Sequence, residues 1–198
     1  MAASYPTSIK SFTTKVDDVD DVLAEHVNSL QEEVVAIETA LGINPKGVVQ
    51  VVHAEVGGTI SGSTAIPNDD TAPTWAEGDD TTIVGTITPT DADNILLVVV
   101  HGSIGGTTSQ SSRLLTLFKD PTGTDECIRV ACELDGIPGG TTDHLTMIHK
   151  MVAGGVSATS FKLRFGADTG TQILNAFSAA TDYGGKSYTT MTIFEIKV

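Results

Sequence analysis

Six apolar residues, Leu23, Val27, Leu30, Val34, Ile37 and Leu41, recur at alternating spacings of four and three. That is a heptad stripe, and it predicts a helix over 21–42 with Val27, Val34 and Leu41 at one core position and Leu23, Leu30 and Ile37 at the other. Asp20 or Asp21 suits the helix start, where acids meet the positive end of the dipole. Gly42 ends the helix and Asn44-Pro45 keeps it from resuming. At about 1.5 Å per residue the stripe is roughly 27 Å long. A helix this short needs its apolar stripe buried against something. Two partners fit: the rest of the chain, or copies of the same helix. The strict heptad, the terminal position and the Pro/Gly break at 42–47 favour copies. Val and Leu at the core positions leave the number of copies open.

Beyond residue 48 the period changes from helical to two. Strands are expected at Val48–Ala54, Thr82–Thr88, Asn94–His101, Arg113–Lys119, Cys127–Glu133, Leu145–Val152, Ser160–Gly166, Thr171–Phe177 and Tyr188–Ile196. Phe161-Lys162-Leu163-Arg164-Phe165 alternates cleanly, with the aromatic and aliphatic residues on one face and the cations on the other. The last strand does not. Thr189, Met191, Ile193 and Glu195 share one face and Tyr188, Thr190, Thr192, Phe194 and Ile196 the other, so a bulge or burial on both faces is expected. Eight or nine short strands separated by Gly, Pro and Asp turns predict an antiparallel β-sandwich, a jelly roll in the first instance. No internal repeat of fixed period is present. The chain therefore reads as mainly β with two parts: an anchor and oligomerising helix over 1–47, and a sandwich over 48–198.

Composition agrees with this division. The 198 residues suffice for one sizeable domain and an appendage. There are 28 Thr and 20 Gly, which favour strands and turns. The apolar content of 40% supplies a core. Acids outnumber bases 25 to 11, a net charge of −14, which argues against nucleic acid as the main partner. The charge is uneven: between Gly47 and Ser112 there are eight acids and no Lys or Arg. The longest aliphatic run, Ile95–Val100, is six residues, against about 20 for a membrane-spanning helix. The first twelve residues lack the apolar core of a signal peptide, so none is expected. Cys127 and Cys132 would stand roughly 16 Å apart on one extended strand, too far to bridge. Two buried free thiols, made in a reducing cytoplasm, are expected.

Candidate chemistry is sparse. His26, His53, His101, His144 and His149 show no zinc spacing, and His144 and His149 should face opposite sides of a strand. Asp91-Ala92-Asp93-Asn94 and Asn68-Asp69-Asp70 cluster oxygen ligands but lack the Gly and Glu of a calcium loop. They read as turns. No nucleophile elbow or phosphate loop is present. A paired-carboxylate glycosidase site has acids enough, yet the chain offers a single Trp and three Tyr for sugar stacking. Trp75 is expected to plug one end of the sandwich. The expectation is no catalytic residue, no metal and no cofactor.

Ser4–Gly47 resembles a segment of tailed-bacteriophage virion structural proteins. The residues that carry the likeness are Phe12–Asp17, the Val27–Glu33 helix, the Ala36–Gly42 ending and Asn44-Pro45. Asp18 stands where relatives often carry Gly, which lengthens the acid cluster. Ile66–Pro73 with Glu77-Gly78, then Ile87-Thr88-Pro89 and Ile193–Ile196, are similar to strings in β domains of such proteins. The resemblance implies a non-enzymatic virion component, commonly trimeric in fibres and decorations, and does not place it on the particle; the leading expectation is a homotrimeric head fibre or capsid decoration, assembled in the host cytoplasm. Its partners would be copies of itself and other virion proteins, the major capsid protein among them. Two alternatives stand beside it. One is a tail fibre or receptor-binding protein meeting a host-surface glycan; the other is a glycan hydrolase. None of these calls for nucleic acid or membrane.

Overall fold

A computed structural model of the chain describes residues 24–38, 47–122, 125–177 and 182–198. The chain divides between Gly47 and Val48 into two compact units.

In the first unit, α1 covers Ala24–Glu38. Its fifteen residues include no Gly or Pro, and most are good helix formers. The expected helix ran over 21–42, so its ends, with Leu23 and Leu41, lie outside the described residues.

The second unit is built from β1 (Val48–Gly57), β2 (Ile60–Gly62), β3 (Asp79–Ile87), β4 (Ile95–Gly106) and β5 (Gln110–Lys119). There follow β6 (Arg129–Ile137), β7 (Thr141–Val152), β8 (Thr159–Ala167), β9 (Gln172–Leu174), a short 3-10 turn at Asp182–Gly185, and β10 (Tyr188–Ile196). Each of the nine expected strands overlaps one of these, and the three-residue β2 is additional.

The pairing is nested. β1 pairs with β10, β3 with β8, β4 with β7 and β5 with β6, all antiparallel. A long hairpin rolled up around a barrel produces that order, and it is the jelly roll. One sheet runs β1-β10-β4-β7 and the other β3-β8-β5-β6. At the Ile104–Gly106 end of β4, β9 takes the place of β10 and β2 that of β1.

The core lies between the sheets. Leu96, Val98 and Val100 of β4 and Met191 and Ile193 of β10 point inward from the first. Leu115, Leu117, Phe161, Leu163 and Phe165 meet them from the second. Each such side chain contributes about 1.5–3 kcal/mol of burial. The alternation in 161–165 is realised, with Lys162 and Arg164 half-buried on the opposite face.

β10 resolves the ambiguity of its sequence. Its register with β4 is unbroken from Thr190 to Ile196, so β10 carries no bulge against that neighbour. The irregularity falls on β1, between Val48 and Gln50. Thr189, Met191, Ile193 and Glu195 are buried, while the alternate set is half-buried between two flanking strands.

Several polar side chains inside the sandwich are tied into networks, whereas Ser112 Oγ and Gln172 Oε1 are buried without a partner. Glu195 is fully buried, and its Oε1 accepts from Thr90 N, Thr90 Oγ1 and Asn94 Nδ2 at 2.6–2.7 Å. With its amide nitrogen turned toward Glu195, Gln50 donates to Oε2 at 3.2 Å. Asn175 donates to the Val56 and Gly58 carbonyls and accepts from Thr189. Asn175 has φ 65°, a conformation that Asn tolerates better than most residues.

Two expectations are corrected. Trp75 does not plug an end of the sandwich. It lies on the outer face of the β3-β8-β5-β6 sheet, edge-on to Phe118 at 5.1 Å, with Arg164 4.7 Å and Lys162 5.5 Å from its ring centre. Arg164 also donates to the Glu77 and Gly78 carbonyls, which pins the loop over the sheet. The cysteines are free but not both buried: Cys127 is half-buried and Cys132 exposed. Cys132 falls on an edge strand, where a side chain facing away from the core meets solvent.

Candidate interaction surface

The oligomerisation residues expected from the heptad are Leu23, Val27, Leu30, Val34, Ile37 and Leu41. Four of them lie on α1. Val27, Leu30, Val34 and Ile37 are 39–55% exposed in the single chain. Ser29 and Glu33, one turn apart on an adjoining flank, are buried. Val35, off the heptad stripe, is 58% exposed as well.

The sandwich carries a second apolar surface, which the sequence did not single out. It is the outer face of the β1-β10-β4-β7 sheet, and strand register sets its four rows. Val48, Ile196, Ile95 and Val152 form the first. Val51, Phe194, Leu97 and Lys150 form the second, and His53, Thr192, Val99 and Ile148 the third. Glu55, Thr190, His101 and Thr146 close it. Val48, Val51, Ile148 and Val152 are 52–55% and 53–56% exposed on the flanking strands, and the residues of β10 and β4 between them are half-buried. The only carboxylate in these rows is Glu55, which meets His53 at 3.3 Å. Beyond the last row the His101 and His144 rings stack in parallel, 6.0 Å between centres. His149 faces the other way, as its spacing predicted, and burial lowers its pKa.

The two outer faces of the sandwich differ in how much of their apolar surface the chain covers, although Val84 and Leu134 stay exposed on the second sheet too. On the second sheet, Phe118 is fully buried because Trp75 and its loop cover it. On the first sheet, apolar residues stay open to solvent.

Among the described residues, little offers chemistry of another sort. A cavity of about 120 Å³ is lined by Ser103, Thr142, His144, Asn175, Ala176, Phe177 and Ser187. It contains no carboxylate, and the Asn175 amide is committed to backbone carbonyls. Asp69 accepts from Thr71 and Asp91 from Asp93 N, each within its own turn. Hydrogen bonds from Thr71 hold the Asp69 carboxyl below its ordinary pKa. Among the described residues no three His, Cys, Asp or Glu side chains gather as a metal set. Burial raises the pKa of the Cys127 thiol, the opposite of an activated nucleophile.

A signal for the sheet face was present in the sequence. Val48, Val51, Ile95, Leu97, Val99, Ile148 and Val152 are apolar at positions alternate to the core set. Without the register, nothing showed that they would lie side by side.

No protein-family model matches the chain, and no curated protein matches it in sequence. Among solved structures, the chain is similar to Eiger TNF from S. frugiperda, at 10% identity over 77% of this chain and 94% of that one, with a TM-score of 0.46. It is similar to the globular domain of zebrafish complement 1qA at 9% identity over 77% and 97%, TM-score 0.37. It is also similar to infectious bursal disease virus, Gx strain, at 11% identity over 80% and 41%, TM-score 0.33. At these scores the likenesses add nothing to the strand order, which assigns the jelly roll by itself.

Proposed function

We propose that this chain is a non-enzymatic structural protein of a tailed-bacteriophage virion. It is a homotrimer in which α1 joins the copies as a short coiled coil and the jelly roll projects as a head fibre or capsid decoration. The observation that carries the reading is the heptad stripe of α1, with Val27, Leu30, Val34 and Ile37 open to solvent in a single chain. The resemblance of Ser4–Gly47 to virion proteins supplies the setting. The net charge of −14 fits a projecting, well-solvated domain, and three copies carry −42.

Sedimentation of the full chain tests the assembly; a mass of one chain at micromolar concentration sinks it. Immunogold labelling of intact particles tests the position. Label on the head supports decoration, and label confined to the tail replaces it with the receptor-binding alternative. Turnover of a host polysaccharide by the purified chain would overturn the non-enzymatic reading.

A further inference from the structure

We propose that the outer face of the β1-β10-β4-β7 sheet is a second self-association surface, through which jelly rolls of neighbouring copies pack on one another. The proposal rests on the trimer reading above and adds to it a surface that the helix does not supply.

Size is the first reason. Four strands about 4.8 Å apart and rows about 6.8 Å apart make a face of roughly 14 by 20 Å between Cα positions, before side chains extend it. With its side chains the face is of the order of the 300–600 Å² at which an exposed apolar patch is often functional. Val51, Phe194 and Leu97 lie side by side across it, and so do Val99 and Ile148. Covering such side chains recovers about 25 cal/mol for each Å² of apolar surface removed from water.

Charge selects the occupant. The chain as a whole is −14, so copies repel one another through most of their surfaces. The four rows hold one acid, Glu55, and one fixed cation, Lys150, and their formal charge is zero with histidine neutral. This face therefore allows two acidic copies to approach without stacking carboxylates. An acidic or strongly basic partner would find nothing here to pair with beyond those two groups.

Tethering gives the third reason. Copies held together at α1 meet again within one assembly, so the contact between sheets is intramolecular, at an effective concentration in the millimolar range for a short linker. An apolar face too small to hold free domains together then becomes sufficient. The other outer face shows what the alternative looks like, because there the chain buries Phe118 under its own Trp75.

The test uses the full chain. V51E and I148E place charge at two exposed positions, 52% and 56% open, where the isolated jelly roll loses no core contact. V84E, at a 49% exposed position of the other sheet, is the control. In a dilution series followed by sedimentation, the V51E/I148E double variant should dissociate at a concentration at least tenfold above wild type, with V84E unchanged. Amine labelling of Lys150 should be several-fold slower in wild-type trimer than in the double variant. Circular dichroism confirms that each variant is folded.

A wild-type dissociation midpoint in V51E/I148E, with Lys150 freely labelled in the intact trimer, overturns the proposal and leaves the helix-based trimer standing. Continued association of L30D/I37D that V51E/I148E abolishes sinks the helix reading and upholds the sheet surface. Lys150 that is open in the isolated trimer but protected on the particle assigns the face to another virion protein and overturns self-association.

Discussion

Arg113 on β5 and Asp143 on β7 form an ion pair at 2.8 Å that ties one sheet of the jelly roll to the other. The guanidinium is fully buried and makes every contact with a fixed partner: Gln110 Oε1, Thr141 O and Oγ1, Pro138 O and the Asp143 carboxylate. The pair is buried on the Arg side and 22% exposed on the Asp side. Removing Asp143 leaves a cation in the interior with neutral acceptors only. Asp143→Ala should lower unfolding free energy by about 3 kcal/mol, and Asp143→Asn by less, because an amide oxygen still accepts from Nη1. Urea denaturation of both variants checks this; a loss under about 0.5 kcal/mol for the alanine variant would show that the pair contributes little.

Glu195 sets an acid limit on stability. Burial alone would raise its pKa, but the donors Asn94 and Thr90 outweigh that and hold it below the ordinary value of 4.5. Asp168 is likewise held below 3.8, its burial outweighed by hydrogen bonds from Ser111 and Ser112. A carboxyl depressed on folding stabilises fully above its unfolded pKa, and that contribution is lost as pH falls through the folded value. The thermal midpoint should therefore be insensitive to these groups at neutral pH and fall on acidification below about 4.5. Glu195→Gln should cost about 2 kcal/mol at pH 7 and flatten the acid limb. An unchanged limb would assign the acid sensitivity to other carboxyls.

Thr82 is a strained residue in the middle of a strand. It has φ 63° where β3 shifts register against β8 between Asp80 and Val84. A β-branched residue in that region costs about 1–2 kcal/mol. Neighbouring Thr81 is buried by the same shift and donates to the Leu163 carbonyl at 2.9 Å. Thr82→Gly should raise stability by about 0.5–1 kcal/mol, after the entropy that glycine costs in a strand. A calorimetric midpoint below wild type would show that the Thr82 side chain contributes more than its backbone costs.

Trp75 is the only tryptophan, so its fluorescence reports on one loop. Its backbone bonds to Asp125 O, and its ring covers Phe118. The loop should open only when the sheet does, and the fluorescence and circular dichroism transitions should coincide in urea. Trp75→Ala should cost about 2–3 kcal/mol, less than a core position because the ring is half-buried, by uncovering Phe118 and removing the cation contacts. An earlier fluorescence transition would show the loop to be a separate, weaker unit.

Much of this architecture was legible in the chain. Short apolar or alternating runs bounded by Gly, Pro and Asp turns located nine strands to within a few residues, because strand composition and turn chemistry are local. β2 escaped notice, since three residues cannot show a period. The Phe161–Phe165 segment was assigned to the correct faces because its alternation is local as well. Trp75 was misplaced because nothing local says which apolar neighbour a loop residue will reach; Phe118 is 43 residues away in the chain. Cys132 was expected inside because free Cys is usually buried, yet it stands on edge strand β6, where one side has no neighbouring strand.

The heptad stripe, the strand positions and the uneven charge followed from the sequence alone, because each depends on residues within a few positions of one another. Tertiary structure decided which strand lies beside which. The pairs Val51–Phe194 and Leu97–Lys150 join residues far apart in the chain, and their adjacency follows from closing the whole sandwich. That closure chose Met191 and Ile193 over Phe194 and Ile196 as the inward face of β10, gave Glu195 its donors, and aligned four sets of outward valines, leucines and isoleucines into one apolar surface. Alternation is a property of a single strand, whereas a surface is a property of several strands in register.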